Sequence, residues 1–168
     1  SCSTLTLAKA ITAAVEARIE IVNLSLTGPA DPLLARLVEV GLRRGIVFVG
    51  ATPPANDRDS FPTGVAGVIS VDSSGAATSP DSVLFAPASE VLTLVPDGRY
   101  DFVSGSSLAA ASVSGGIALL LARDRNLGAQ GARELLARSS RMITTPRGEA
   151  SSVNLCAAVA VLMHKECL

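Results

Sequence analysis

The chain has 168 residues, 48% of them hydrophobic and only 3% aromatic, with a formal net charge of −1 at pH 7. That length suffices for one domain with a sizeable core, and the near-neutral balance without a long basic run gives no footprint for nucleic acid. A core so poor in aromatics must be packed from Ala, Val, Leu and Ile, which suits a buried sheet covered by helices.

No apolar stretch comes near the roughly 20 residues that span a bilayer, Ile117 to Ala122 being the longest, so no membrane span is expected. The opening Ser1-Cys2-Ser3-Thr4 has no basic region leading into an apolar core and does not read as a signal peptide.

Leu5, Ala8, Ile11, Thr12 and Val15 recur at helical spacing and predict an amphipathic helix over residues 4–18. The β-branched run from Ile19 to Leu26 reads as a strand, broken by Thr27-Gly28-Pro29. Asp31 is placed to cap a second helix with Pro32 at its first position, continuing through Arg44 to a stop at Gly45. Ile46 to Gly50 and Gly67 to Val71 are two more strands with nearly all-apolar interiors. This succession predicts parallel βαβ units in an α/β fold.

Val83 to Ala86, Val91 to Val95 and Tyr100 to Val103 are shorter strand candidates. Ser104-Gly105-Ser106-Ser107 then opens a small-residue helix to about Arg123, with further helical patterns over 128–139 and 152–164. With no repeat, linker or low-complexity segment, residues 1–168 read as a single unit.

Three cysteines cannot all pair within one chain. Cys156 reads as a small buried hydrophobe and Cys2 and Cys167 as loose ends, with one disulfide in an exported protein as the competing reading. No Cys/His spacing resembles a zinc site, and no metal or other cofactor is expected.

Gly105-Ser106-Ser107-Leu108-Ala109 lies where a strand meets a helix start. Glycine there permits close approach, and the unpaired N–H groups of a helix N-terminus stabilise negative charge. That suits a serine attacking a carbonyl, because the oxyanion formed needs donors nearby. The plainer reading is a helix N-cap in a serine-rich turn.

Several segments, taken in order, resemble the subtilisin-like serine proteases (subtilases, peptidase family S8). Ile21-Val22-Asn23-Leu24-Ser25-Leu26-Thr27-Gly28-Pro29 resembles their V-I-N-M-S-L-G-G-P strand, and Gly45 to Ala51 the strand after it. Phe61-Pro62 through Val68-Ile69-Ser70-Val71-Asp72 resembles the Y-P…V-I-A-V segment, and Phe85-Ala86-Pro87 the A-P-G strand end, with Ala88 in place of the glycine. Gly105 to Ala109 resembles the nucleophile motif G-T-S-M-A, and Val153-Asn154-Leu155-Cys156-Ala157-Ala158 the closing I-N-V-x-x-A helix.

The resemblance implies a subtilisin-like three-layer fold, with a mostly parallel sheet between helices and its N-terminal part missing. It implies a serine endopeptidase with Ser107 as nucleophile and the Ser107 N–H as one oxyanion donor. Ser25, Leu26 and Thr27 would be the edge on which a peptide or protein substrate is laid as an added strand. Export, which the residues themselves leave open, is also implied by the family.

The chain departs from the pattern at defined positions. Subtilases order their triad Asp, His, Ser, and everything recognisable here comes after the Asp and His segments. The only histidine, His164, falls in the last helix, where a packing or exposed role is expected. Pro54 occupies the place of the oxyanion asparagine, and Asn56 is the nearest substitute. In subtilisin itself, loss of that donor costs about 2.7–4 kcal/mol of transition-state stabilisation. Ala110-Ala111-Ser112-Val113-Ser114-Gly115 replaces the family's S-P-H-V-A-G.

Three functions compete. The first is a serine endopeptidase completed by the missing N-terminal part of the same domain. The second is a subtilase-like module without catalysis that binds peptides or partner proteins. The third, a small-molecule site on an open parallel sheet, lacks a G-x-G-x-x-G after any strand.

Overall fold

Side-chain caps start the first two helices. The Ser3 hydroxyl accepts the Thr6 N–H and opens α1 (Thr4–Glu16). One oxygen of Asp31 accepts the N–H groups of Leu33 and Leu34 and opens α2 (Pro32–Arg43), with Pro32 where the sequence places it. The other accepts the Thr4 hydroxyl at 3.0 Å, so one carboxylate joins the starts of both helices. Gly45, at φ 84°, ends the second helix in the left-handed region that favours glycine. The computed structural model describes residues 3–53, 60–73, 83–145 and 148–164.

Strands β1 (Ile21–Leu24), β2 (Val47–Ala51), β3 (Ile69–Asp72) and β4 (Val83–Phe85) lie side by side and parallel. Every residue of β2 and β3 is buried, as parallel strands covered on both faces must be. β5 (Val91–Val95) and β6 (Arg99–Val103) pair antiparallel with each other in a separate two-stranded ribbon. Leu92, Leu94, Tyr100 and Phe102 are exposed on one face of that ribbon.

A second hairpin, β7 (Arg141–Thr145) and β8 (Gly148–Ser152), extends the main sheet to the order β1-β2-β3-β4-β8-β7, with β8 parallel to β4. Neither of its strands is among the elements expected from the sequence. Their run of Thr, Glu and Ser lacks the apolar signature that marks a buried strand.

Side chains alternate across the sheet. Phe48 of β2 meets Ile11, Val15, Leu34 and Val38 of α1 and α2 on one face. Val47, Val49 and Ala51 meet α3 (Ser106–Arg123), α4 (Gly128–Arg138) and α5 (Leu155–Met163) on the other. The result is the expected α/β arrangement of a mostly parallel sheet between two helical layers.

Two expectations are corrected. By length and composition α3 is apolar enough to cross a membrane, contrary to the expectation that no segment comes near. Here its stripe of Ala109, Ala110, Val113, Ile117 and Leu120 is buried in the core with residues of β2 and β3. Cys156 is not a buried hydrophobe: it lies exposed in the first turn of α5 and is disulfide-bonded. Cys2 and Cys167 lie outside the described residues.

Gly41 of α2 tests the packing between helix and sheet, because a Cβ there would stand 2.6 Å from Phe48 Cε2, inside a ring that is fully buried. Alanine gains about 1 kcal/mol over glycine in helix propensity, but overpacking a filled core costs about 1–3 kcal/mol. Gly41→Ala is therefore expected to lower the urea midpoint, at an unchanged denaturant slope.

Asp31 tests the caps. Chiefly the Leu34 N–H, then the Thr4 hydroxyl and the Leu33 N–H, hold its carboxyl below its ordinary value, against an opposing contribution from burial. A carboxyl depressed in the folded state contributes stability at pH above its unfolded value and loses it as pH falls through the folded one. Thermal midpoints followed down from about pH 5 are expected to fall less steeply in Asp31→Asn, whose amide oxygen still caps.

Candidate active site

The turn before α3 is held from both sides. The Ser104 hydroxyl accepts the Glu90 N–H at 2.8 Å, and the Gly105 N–H donates to the Ala88 carbonyl at 3.0 Å. Gly105 sits at φ 145°, ψ 163°, a conformation essentially restricted to glycine. A Cβ at this position would meet nothing within 4 Å. Glycine is thus required here by the backbone rather than by the close approach expected from the sequence. The strand leading into the turn is β6 of the ribbon, not a member of the parallel sheet.

Gly105 itself is the N-cap, without a side-chain bond, so neither of the two serines after it serves as the cap that the plainer reading supposes. Each hydroxyl reaches across to another element. Ser106 Oγ donates to the Thr52 carbonyl just past β2 at 2.7 Å. Ser107 Oγ donates to the Ser25 carbonyl just past β1 at 3.2 Å.

Ser25 returns the contact, its Oγ donating to the Ser107 carbonyl at 2.8 Å, and Asn23 Nδ2 donates to Ser25 Oγ at 2.9 Å. The two serines thus clamp the end of β1 to the first turn of α3. That turn aims its free N–H groups, the Ser107 N–H among them, along the positive end of the helix dipole.

Around this clamp lies a cleft of about 670 Å³ bordered by Ser25, Leu26 and Thr27, by Thr52, Pro53 and Asp72, and by the turn from Val103 to Leu108. Ser107 is exposed, whereas Thr52 and Asp72 are each only 5% exposed. The structure therefore brings Ser107 together with Ser25, Leu26 and Thr27. Pro54 and Asn56 fall outside the described residues. His164 is the C-cap of α5, exposed, and is not among the residues that border the cleft.

Among the described residues there is no group of three or more His, Cys, Asp or Glu side chains able to hold a metal ion. Thr52, Asp72 and the Ser106 hydroxyl are site residues that sequence reasoning missed. Asp72 carried a signal, since an acid closing the buried run Ile69-Ser70-Val71 is rarely left in a core without a partner.

A family model described as the subtilase family matches residues 1–157. The major intracellular serine protease of Bacillus subtilis (strain 168) is 32% identical over 122 residues, which span 64% of this chain and only 38% of that protein. Its name does not fit the export implied by the family resemblance. Among solved structures, the prenylagaramide maturation protease PagA superposes with a TM-score of 0.78 at 23% identity, over 99% of this chain and 70% of that one. A cold-adapted subtilisin-like serine proteinase gives 0.75 at 24% identity, over 92% and 62%. These superpositions establish a likeness of fold.

Ser25→Ala removes one arm of the clamp and leaves the Ser25 carbonyl in place. It removes the bonds of the Ser25 hydroxyl to the Ser107 carbonyl and to Asn23 Nδ2 and is expected to cost about 1–2 kcal/mol in chemical unfolding, at the usual net value of about 0.5–1.5 kcal/mol for each hydrogen bond.

Proposed function

Because the chain belongs to the subtilase family, we propose that it is the nucleophile-bearing part of a serine endopeptidase whose Asp and His come from polypeptide outside these 168 residues. The observation that carries this reading is the placement of Ser107. It stands exposed at the start of α3, paired with Ser25 across a cleft at the C-terminal ends of parallel strands.

In this reading a peptide lies extended along Ser25, Leu26 and Thr27, and its backbone takes over the Ser25 carbonyl that Ser107 Oγ now engages. Freed from that bond, Ser107 Oγ passes its proton to the histidine supplied from outside and attacks the peptide carbonyl. The Ser107 N–H receives the oxyanion. The protonated histidine then gives its proton to the departing amine, and water hydrolyses the acyl-enzyme. The open edge of β1, at one end of the sheet, is where further strands of the same domain would join. The disulfide at Cys156 supports an oxidising compartment, in contrast with the name of the Bacillus relative.

A second reading, a peptide-binding module without catalysis, is favoured by Pro54 at the asparagine position and by the resting bond from Ser107 to Ser25. The coding sequence upstream of Ser1, together with a serine-directed fluorophosphonate, separates the two. The first reading expects an aspartate at a strand end, then a histidine opening a helix, and stoichiometric labelling of the intact natural protein that disappears in Ser107→Ala. The 168-residue chain alone is expected to label about a hundredfold more slowly or worse, the usual share of a general base. An intact protein that neither labels nor cleaves peptides, yet binds them, establishes the second reading.

A further inference from the structure

Thr52 is held at each of its polar atoms. Its N–H donates to the Val71 carbonyl at 2.9 Å, its Oγ1 donates to Asp72 Oδ1 at 3.1 Å, and its carbonyl accepts from Ser106 Oγ at 2.7 Å. Two of these bonds run to the end of β3. The third runs to the residue beside Ser107.

Asp72 is the only charged residue among the buried side chains of the described chain. Such a carboxylate is costly to bury unless it is firmly held. Here it accepts from Thr52 and makes a further contact, and its own carbonyl is fixed by the Ala86 N–H at 3.0 Å.

The two prolines after Thr52 explain the need for this arrangement. Pro53 and Pro54 have no N–H, so for two positions the backbone leaving β2 has no amide with which to bond back. Thr52, standing before a proline, is itself confined to extended backbone. With Pro54 where the family's donor side chain stands, receiving the oxyanion depends all the more on seating the substrate carbonyl against the Ser107 N–H.

We propose that Asp72, acting through the Thr52 hydroxyl, is a positioning residue that fixes Thr52, at the end of β2, against the Ser106-Ser107 turn and so sets the geometry in which the oxyanion is received. The inference rests on the reading of Ser107 as nucleophile. Ground-state binding along Ser25 to Thr27 is separate from this contact, so its loss falls on the chemical step.

The test is steady-state hydrolysis of a fluorogenic peptide by the intact natural protein. Thr52→Val keeps the shape of the side chain and removes the hydroxyl. It is expected to lower kcat about tenfold to a hundredfold, with KM held within about twofold. Thr52→Ser returns the hydroxyl and is expected to recover most of that loss. Asp72→Asn, which keeps an acceptor, is expected to lose less than Asp72→Ala, and Asp72→Ala combined with Thr52→Val to lose no more than the worse single variant.

Thermal unfolding shows which variants fold, and the Thr52→Val and Thr52→Ser pair carries the test if Asp72→Ala does not. A wild-type kcat in Thr52→Val, a rise in KM matching the fall in kcat, or no recovery in Thr52→Ser overturns the inference while Ser107 stays the nucleophile. A wild-type protein that neither cleaves peptides nor takes a phosphonate label overturns the nucleophile reading, and this inference with it.

Discussion

The seating of α3 on the parallel strands governs the geometry of the cleft. Ala109, Ala110 and Val113 are small enough to let the helix lie close to β1, β2 and β3, and Ile117 and Leu120 anchor it deeper in the core. Fully burying one such aliphatic side chain contributes about 1.5–3 kcal/mol, against about 1 kcal/mol for a single hydrogen bond. The apolar stripe therefore holds the helix in place. The hydroxyls of Ser106, Ser107 and Ser25 decide how its first turn is oriented.

The sheet adds a division of labour along β2. Alternate side chains serve opposite helical layers, so Phe48 closes one core while Val47, Val49 and Ala51 close the other. Emerging from between the two, the strand delivers Thr52 to the cleft with little freedom left. Gly41 belongs to the same constraint, since only a residue without a side chain lets α2 rest on the Phe48 ring.

Much of this was legible in the sequence, for identifiable reasons. The caps at Asp31 and Gly45, the buried runs of β2 and β3 and the small-residue helix α3 are written in local pattern, and the structure has them where that pattern puts them. The grouping of Ser107 with Ser25 to Thr27 was legible only through family resemblance, because nothing local links segments so far apart. The β7–β8 hairpin is polar and escaped the apolar pattern. β5 and β6 were each visible as strands, but their separation from the main sheet depends on pairing, which period alone does not encode. The Thr52–Asp72 contact joins residues 20 apart whose local surroundings give no sign of each other.

The clamp between Ser25 and Ser107 joins residues 82 positions apart. Closing so long a loop must be met entropically before the contact gives anything back. The two walls of the cleft therefore do not exist as a unit in a nascent or partly folded chain. Until the sheet has formed and α3 has docked, the Ser107 hydroxyl has neither its oriented helix start nor the edge on which a peptide would lie. A growing chain in which α3 is not yet made and docked therefore presents no assembled cleft to its own unfolded segments.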